Sequence, residues 1–214
     1  MHVTKEEQSQ INRLVAEAEA RSGTQVLIAI VDKADAYPEI PWKAFAMGAV
    51  FSAFLVAANA IYFPDGSASR AGILVSSVMV AGATLAALTV FIPAFARLFL
   101  TRLRAESEVR QYAEAVFLQR GLFETRRRVG LLLLIARFER EAVIVADIGV
   151  RQHVTDGQLA AVAAQVKPLL AQKRLMQACA SCLSAVALLL QDRLTPRAIA
   201  VNEVPDTLIQ ERGA

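Results

Sequence analysis

The sequence predicts an α/β fold: a three-layer α/β/α sandwich with a short mixed sheet, interrupted by a two-helix transmembrane hairpin. Three observations predict it. Two uncharged apolar runs, residues 44–63 and 71–96, stand in tandem with a short polar turn between them. Three segments, residues 26–31, 129–136 and 142–146, are apolar throughout, as strands covered on both faces are. Amphipathic stretches with helix start and stop signals surround them. On this reading residues 1–42 are the first part of a cytosolic α/β domain, 43–97 the hairpin, 98–200 the rest of that domain, and 201–214 a tail.

The elements follow in order. Thr4 and Glu7 have capping-box spacing, so a helix starts there, with Ile11, Leu14, Val15 and Ala18 on one face. Gly23 stops it, because glycine enters a left-handed cap without steric cost. Residues 26–31 form the first strand, and residues 32–38 its polar exit loop. Each uncharged run then meets the roughly 20 residues needed to cross a bilayer core. A second amphipathic helix, residues 103–120, presents Val109, Tyr112, Ala113, Val116 and Phe117 to the core and ends at Gly121. Residues 129–136 are too few to span and read as a central strand. The four-residue turn at Phe138 then returns the chain antiparallel through residues 142–146. Thr155 and Gln158 make a second capping box, Pro168 bends or interrupts the helix that box opens, and residues 174–194 form the last helix. Its apolar part, residues 175–190, is of marginal length for a third span.

Hydrophobic residues make up 55% of the chain and the mean hydropathy is +0.41, an excess concentrated between residues 44 and 96. The net charge of +3 and pI of about 9.1 reflect Lys and Arg beside apolar helices rather than a nucleic-acid surface. No basic ribbon interleaved with aromatics is present, so nucleic acid is not an expected partner. The start, Met1-His2-Val3-Thr4-Lys5-Glu6-Glu7, is polar where an export signal turns apolar, which places residues before Ala44 in the cytosol. Two cysteines make no disulfide framework. Lys33 and Lys43 precede the hairpin and Arg97, Arg102 and Arg104 follow it, whereas the turn carries Arg70 offset by Asp65. The positive-inside rule then keeps both flanks cytosolic, as expected of a multi-pass protein of a bacterial inner membrane.

This order of elements resembles the TPM-domain family, in the bacterial membrane-protein subgroup with a hairpin inserted in the domain. Four pieces carry the resemblance: Ser22-Gly23-Thr24-Gln25-Val26 with Tyr37-Pro38; Val116-Phe117, Gly121-Leu122, Thr125 and Gly130; Glu139-Arg140 followed by Val143-Ile144-Val145-Ala146-Asp147-Ile148-Gly149-Val150; and Asn202-Glu203-Val204-Pro205-Asp206. It implies a compact α/β/α sandwich, and roles ranging from photosystem repair and receptor assembly to metal binding or weak acid phosphatase activity.

Candidate site residues are few. Asp147 stands at a strand end, where α/β sheets place ligands, and with Asp32 and Asp35 it could offer oxygen ligands to Ca²⁺ or Mg²⁺. The competing reading makes all three turn residues bonded to their own backbone. Cys179 and Cys182 form a C-x-x-C inside a helix rather than at a helix start, so buried small hydrophobes are expected. Arg126-Arg127-Arg128 could bind an anion, or be a solvated loop. Lys43, Arg97, Arg102 and Arg104 are expected at lipid headgroups. Gly48, Ser52, Ser77 and Gly82 would let the two helices approach closely, and Asn59 would hydrogen-bond across them. No phosphate loop, nucleophile elbow or cysteine-phosphatase arginine is present, and no catalytic residue is assigned. The expected role is a non-catalytic, membrane-anchored module that binds or assists a membrane protein partner. A metal-dependent phosphatase-like hydrolase using the aspartates is the first alternative. An oligomeric pore or transport accessory built from copies of the chain is the second.

Overall fold

Helix formation starts where the sequence caps it. In the computed structural model, which describes residues 4–62, 68–191 and 209–213, α1 (Lys5–Ser22) opens on the expected capping box. The Thr4 hydroxyl accepts from the Glu7 N–H, and the Glu7 carboxylate accepts from the Thr4 N–H at 2.8 Å. Gly23 closes the helix at φ 67°. The chain continues through β1 (Gln25–Lys33), α2 (Glu39–Tyr62), α3 (Ala68–Phe91), α4 (Pro93–Ala96), a 3-10 turn (Arg97–Phe99) and α5 (Arg102–Gln119). A second 3-10 turn (Leu122–Glu124) leads to β2 (Gly130–Ala136), β3 (Glu141–Ala146), α6 (Ile148–Arg151), α7 (Asp156–Gln165), α8 (Lys167–Ala171), α9 (Leu175–Leu190) and β4 (Ile209–Gly213). The hairpin turn at residues 63–67, the segment Asn202–Asp206 and the end signal at Thr195-Pro196 lie outside the described residues.

The sheet is mixed, in the order β3-β2-β1-β4. β1 runs parallel to β2, with Gln25 opposite Gly130 and Val31 opposite Ala136, and β3 runs antiparallel to β2. β4 pairs parallel with the other edge of β1. Residues 201–214 are therefore not wholly a tail. Ile-Gln-Glu-Arg-Gly has one apolar residue and no alternation, so an edge strand there leaves no periodic trace.

Alternation along the central strands divides the core into two layers. Val26, Ile28 and Ile30 face α1, α7 and α9 together with Leu131, Leu133 and Ile144. Leu27, Ala29 and Val31 face α5, where Val109, Ala113, Val116 and Phe117 cover Leu132 and Val145. Helices on both faces leave residues 25–31 of β1 and all of β2 and β3 buried, the reason they read as apolar runs. α9 packs its buried face, Cys179, Cys182, Leu183 and Val186 among it, into the first of these layers.

By contact the chain divides into two compact units, residues 1–35 with 105–214, and residues 36–104. The second unit holds the long helices. Both α2 and α3 contain windows apolar enough to cross a membrane, and only 11% of each window is buried. α2 starts at Glu39, ahead of the charged Lys43 that bounded the apolar run. α3 ends at Phe91, five residues short of the run's end at Ala96. The cause is Pro93, which has no N–H to donate and forces Ile92 to φ −119°, ψ 94° before α4 restarts with proline in its first turn.

One ion-pair network ties the layers of the first unit around edge strand β3. Lys167, at the start of α8, pairs with Glu141 of β3 and donates to Glu106 of α5 at 3.2 Å. Glu141 is 8% exposed, so pairing with Lys167 offsets part of the cost of burying its charge. Burial acts to lower the Lys167 pKa, but the two carboxylates outweigh it and the value is raised above 10.5. The stability it lends is therefore full below pH 10.5 and is lost as pH rises through the folded-state value. Lys167→Met should destabilise the domain by about 2 kcal/mol, because it removes the ammonium paired with the buried Glu141 carboxylate. Thermal unfolding followed by circular dichroism in detergent checks this, and an unchanged midpoint would show the network to be dispensable.

Candidate functional site

The two ends of the sheet carry different polar groups. β1 and β2 both begin at one end, and the antiparallel β3 finishes there. Asp147 follows β3 directly, and its backbone N–H donates to the Gly130 carbonyl at 2.9 Å. The Asp147 side chain caps α6, accepting from the Ile148 N–H at 2.7 Å. Arg128 grips the same carboxylate: Nη2 donates to Oδ1 at 3.0 Å and Nε lies 2.9 Å from Oδ2. At 5% exposure Asp147 is a buried carboxylate held by a two-point guanidinium contact. The loop before β2 is built to deliver that arginine. Arg128 adopts φ 57°, its carbonyl accepts from the Gly149 N–H at 2.9 Å, and the Thr125 hydroxyl accepts from the Val129 N–H at 3.1 Å. Gly149 permits the contact, since a Cβ there would stand 2.6 Å from the Arg128 carbonyl oxygen.

The opposite end holds the exit of β1 and the β2–β3 turn. Arg137 Nη1 bonds Asp32 Oδ1 at 2.9 Å, Lys33 Nζ sits 5.3 Å from the Phe138 ring centre, and the Ala34 N–H donates to Glu139 Oε1 at 2.9 Å. Asp35 follows on the same exit loop.

The expected trio is thereby divided. Asp32 lies at the C-terminal end of β1 and Asp35 just beyond that end, whereas Asp147 lies level with its start. The strand between them is roughly 20 Å long at about 3.3 Å per residue. One Ca²⁺ or Mg²⁺ cannot take ligands from both ends, so Asp32, Asp35 and Asp147 do not form a single metal site. Among the described residues no three His, Cys, Asp or Glu side chains are grouped to hold a metal ion. The physical reason is strand direction: β1 is parallel to β2, and the hairpin returns β3 to the other end.

Cys179 and Cys182 are wholly buried, and burial pushes each thiol up to about 12. They stay protonated and unreactive at neutral pH. Of the arginine triplet, Arg128 is committed to Asp147, while Arg126 and Arg127 are exposed.

In the second unit the glycines mark the contact between α2 and α3. A Cβ at Gly48 would stand 2.8 Å from the Ala81 carbonyl oxygen, and one at Gly82 would stand 2.9 Å from the Phe45 ring. Ser52 and Asn59 are half-buried. Ser77 is too, but its hydroxyl donates to Leu74 of its own helix at 2.6 Å, so that bond does not bridge the pair. Lys43 and Arg102 are exposed and Arg97 half-buried. Arg104 Nε lies 3.7 Å from Glu39 Oε1.

Sequence reasoning did not single out Arg128 over its neighbours, nor the Glu106–Lys167–Glu141 network. A lone arginine or lysine carries no positional signal until its partner strand is placed.

With this geometry in hand, residues 94–188 match the family model described as TPM domain. The chain carries a TPM domain. The match runs from α4 through most of α9 and includes Arg128, Asp147 and Gly149, while α1 and β1 precede it. The fold is also similar to the NMR structure of BA42 protein from the psychrophilic bacteria Bizionia argentinensis sp. nov.. That likeness has a TM-score of 0.58 at 12% identity, covering 98% of this chain and 96% of that one, and concerns the fold alone. No curated protein matches the chain.

Proposed function

We propose that this protein is a membrane-anchored module of the inner membrane. Its TPM domain faces the cytosol and binds a membrane protein partner, or assists its assembly or maintenance, without catalysing a reaction. The observation that carries the membrane part is the exposure of α2 and α3. Trp42, Val50, Phe54, Ile61, Ile73 and Phe91 are each between 69% and 80% exposed. So large an apolar surface is not kept in water. The non-catalytic part is supported by the separation of Asp147 from Asp32 and Asp35 at opposite ends of β1, which argues against the hydrolase alternative that pairs Asp147 with either of them.

Topology is the direct test. Cys179 and Cys182 are buried with raised pKa values, so they leave a quiet background for introduced thiols. Ser67→Cys should react with an impermeant thiol reagent in whole cells, and Gln10→Cys should react only after lysis. The reverse pattern would invert the orientation, and labelling of both in whole cells would remove the cytosolic placement. Crosslinking in native membranes followed by pulldown then reads the partner. Recovery of the protein alone would sink the partner-binding role.

A further inference from the structure

Granting the membrane-spanning reading of α2 and α3, we propose that Trp42 and Tyr62 are interfacial anchors. They bind the headgroup–hydrocarbon boundaries of the two leaflets and set the hairpin's depth so that the break at Pro93 lies among headgroups.

Both rings project from α2, Trp42 at 72% exposure and Tyr62 at 79%. A rise of about 1.5 Å per residue puts roughly 30 Å between them. That is about the thickness of the hydrocarbon core. Between them α2 exposes Val50, Phe51, Phe54 and Leu55, whereas its polar Ser52 and Asn59 are half-buried. An indole and a phenol each join an apolar body to one polar hydrogen-bonding group, so they gain most where hydrocarbon meets headgroup. Lys43, exposed beside Trp42, extends an ammonium toward the same headgroups.

The helix contact carries this depth across to α3. Gly48 meets Ala81 and Gly82 meets Phe45, which fixes an antiparallel register. Extended along both helices, that register puts Trp42 level with about Ala87, and Pro93 roughly 9 Å further outward. The Ile92 N–H still donates to the Leu88 carbonyl at 2.9 Å, but Ile92 leaves helical geometry and Pro93 has no N–H, so the hydrogen-bond ladder of α3 stops there. Open backbone groups are not tolerated facing hydrocarbon but are satisfied among headgroups and water. The aromatic spacing and the proline break thus point to one depth.

Trp42 is the single tryptophan, so the native chain reports its own depth. The full chain is reconstituted into phosphatidylcholine–phosphatidylglycerol vesicles with lipids brominated either near the ester end or near the methyl end of the acyl chain. Ester-end bromines should remove more Trp42 fluorescence than methyl-end bromines, and a Trp42→Phe, Tyr62→Trp double variant should show the same preference. Stronger quenching by methyl-end bromines at either position would overturn the anchor assignment. So would quenching by aqueous iodide with no effect of either lipid. Co-flotation with the vesicles separates the two levels: protein that floats but quenches wrongly defeats the anchors alone, and protein that does not float defeats the membrane-spanning reading itself.

Discussion

Gly130→Ala is expected to abolish or severely weaken folding of the α/β domain, lowering its stability by about 4 kcal/mol or more out of the roughly 5–15 available. A Cβ at this position would stand 2.1 Å from the Leu122 carbonyl oxygen and 3.0 Å from its carbon. Both are backbone atoms, which cannot swing away as a side-chain tip can. Gly130 is also held from both sides, opposite Gln25 of β1 and with its carbonyl accepting from Asp147. Relief must come from the loop of residues 122–129. That loop is fixed by the Thr125 hydroxyl and by the Arg128 N–H donating to the Thr125 carbonyl at 2.9 Å. Moving it pulls Arg128 from Asp147 and leaves a buried carboxylate without its cation. Gly157→Ala is the control: the new Cβ meets only the Thr155 hydroxyl oxygen at 3.9 Å, near the start of α7, and should be neutral or stabilise by up to ~1 kcal/mol. Circular dichroism melts in detergent compare the two. Equal midpoints would mean the approach of Leu122 to the sheet is not what holds this end together.

How far such features could be read in advance depends on their range. The capping boxes at Thr4 and Thr155 and the stop at Gly23 are local, made by residues within three or four positions, and the structure places them as the spacing implies. The strands were legible because burial on both faces leaves an unbroken apolar run. Strand direction was not. The short turn at Phe138 requires β3 to return antiparallel, but nothing within β1 states whether it lies parallel to β2, because the chain between them passes through the hairpin and α5. Grouping Asp147 with Asp32 assumed the wrong end. Arg128 was hidden differently: within Arg126-Arg127-Arg128 all three look like solvated charge, and the left-handed turn that selects Arg128 arises only when Gly149 packs on its carbonyl. Pro93, by contrast, was a local signal masked by an uncharged run.

Replacing residues 41–100 with a Gly/Ser linker is expected to yield a soluble domain that unfolds cooperatively with mixed α/β circular dichroism, while residues 103–214 alone should aggregate or fail to fold. β1 is the reason for the contrast. It pairs with β2 along residues 25–31 and with β4 from Ala29 to Lys33, so it is the inner strand that both neighbours need. Its side chains supply the centre of both core layers, and α1 covers one of them beside α9. The fragment retains nearly the whole segment matched as a TPM domain, residues 94–188, yet lacks that strand. It would expose the apolar edge of β2 and strand β4 without a partner. The hairpin itself adds no strand to the sheet, and residues 1–35 and 105–214 already form one compact unit. Closing the gap with a flexible linker costs little, since loop-closure entropy rises by only about 0.6 kcal/mol per doubling of length. Denaturant titration of both products decides the matter. A fragment of residues 103–214 that unfolds cooperatively would show β1 to be an accessory, and a linker variant that stays insoluble would show the hairpin to be part of the domain's own core.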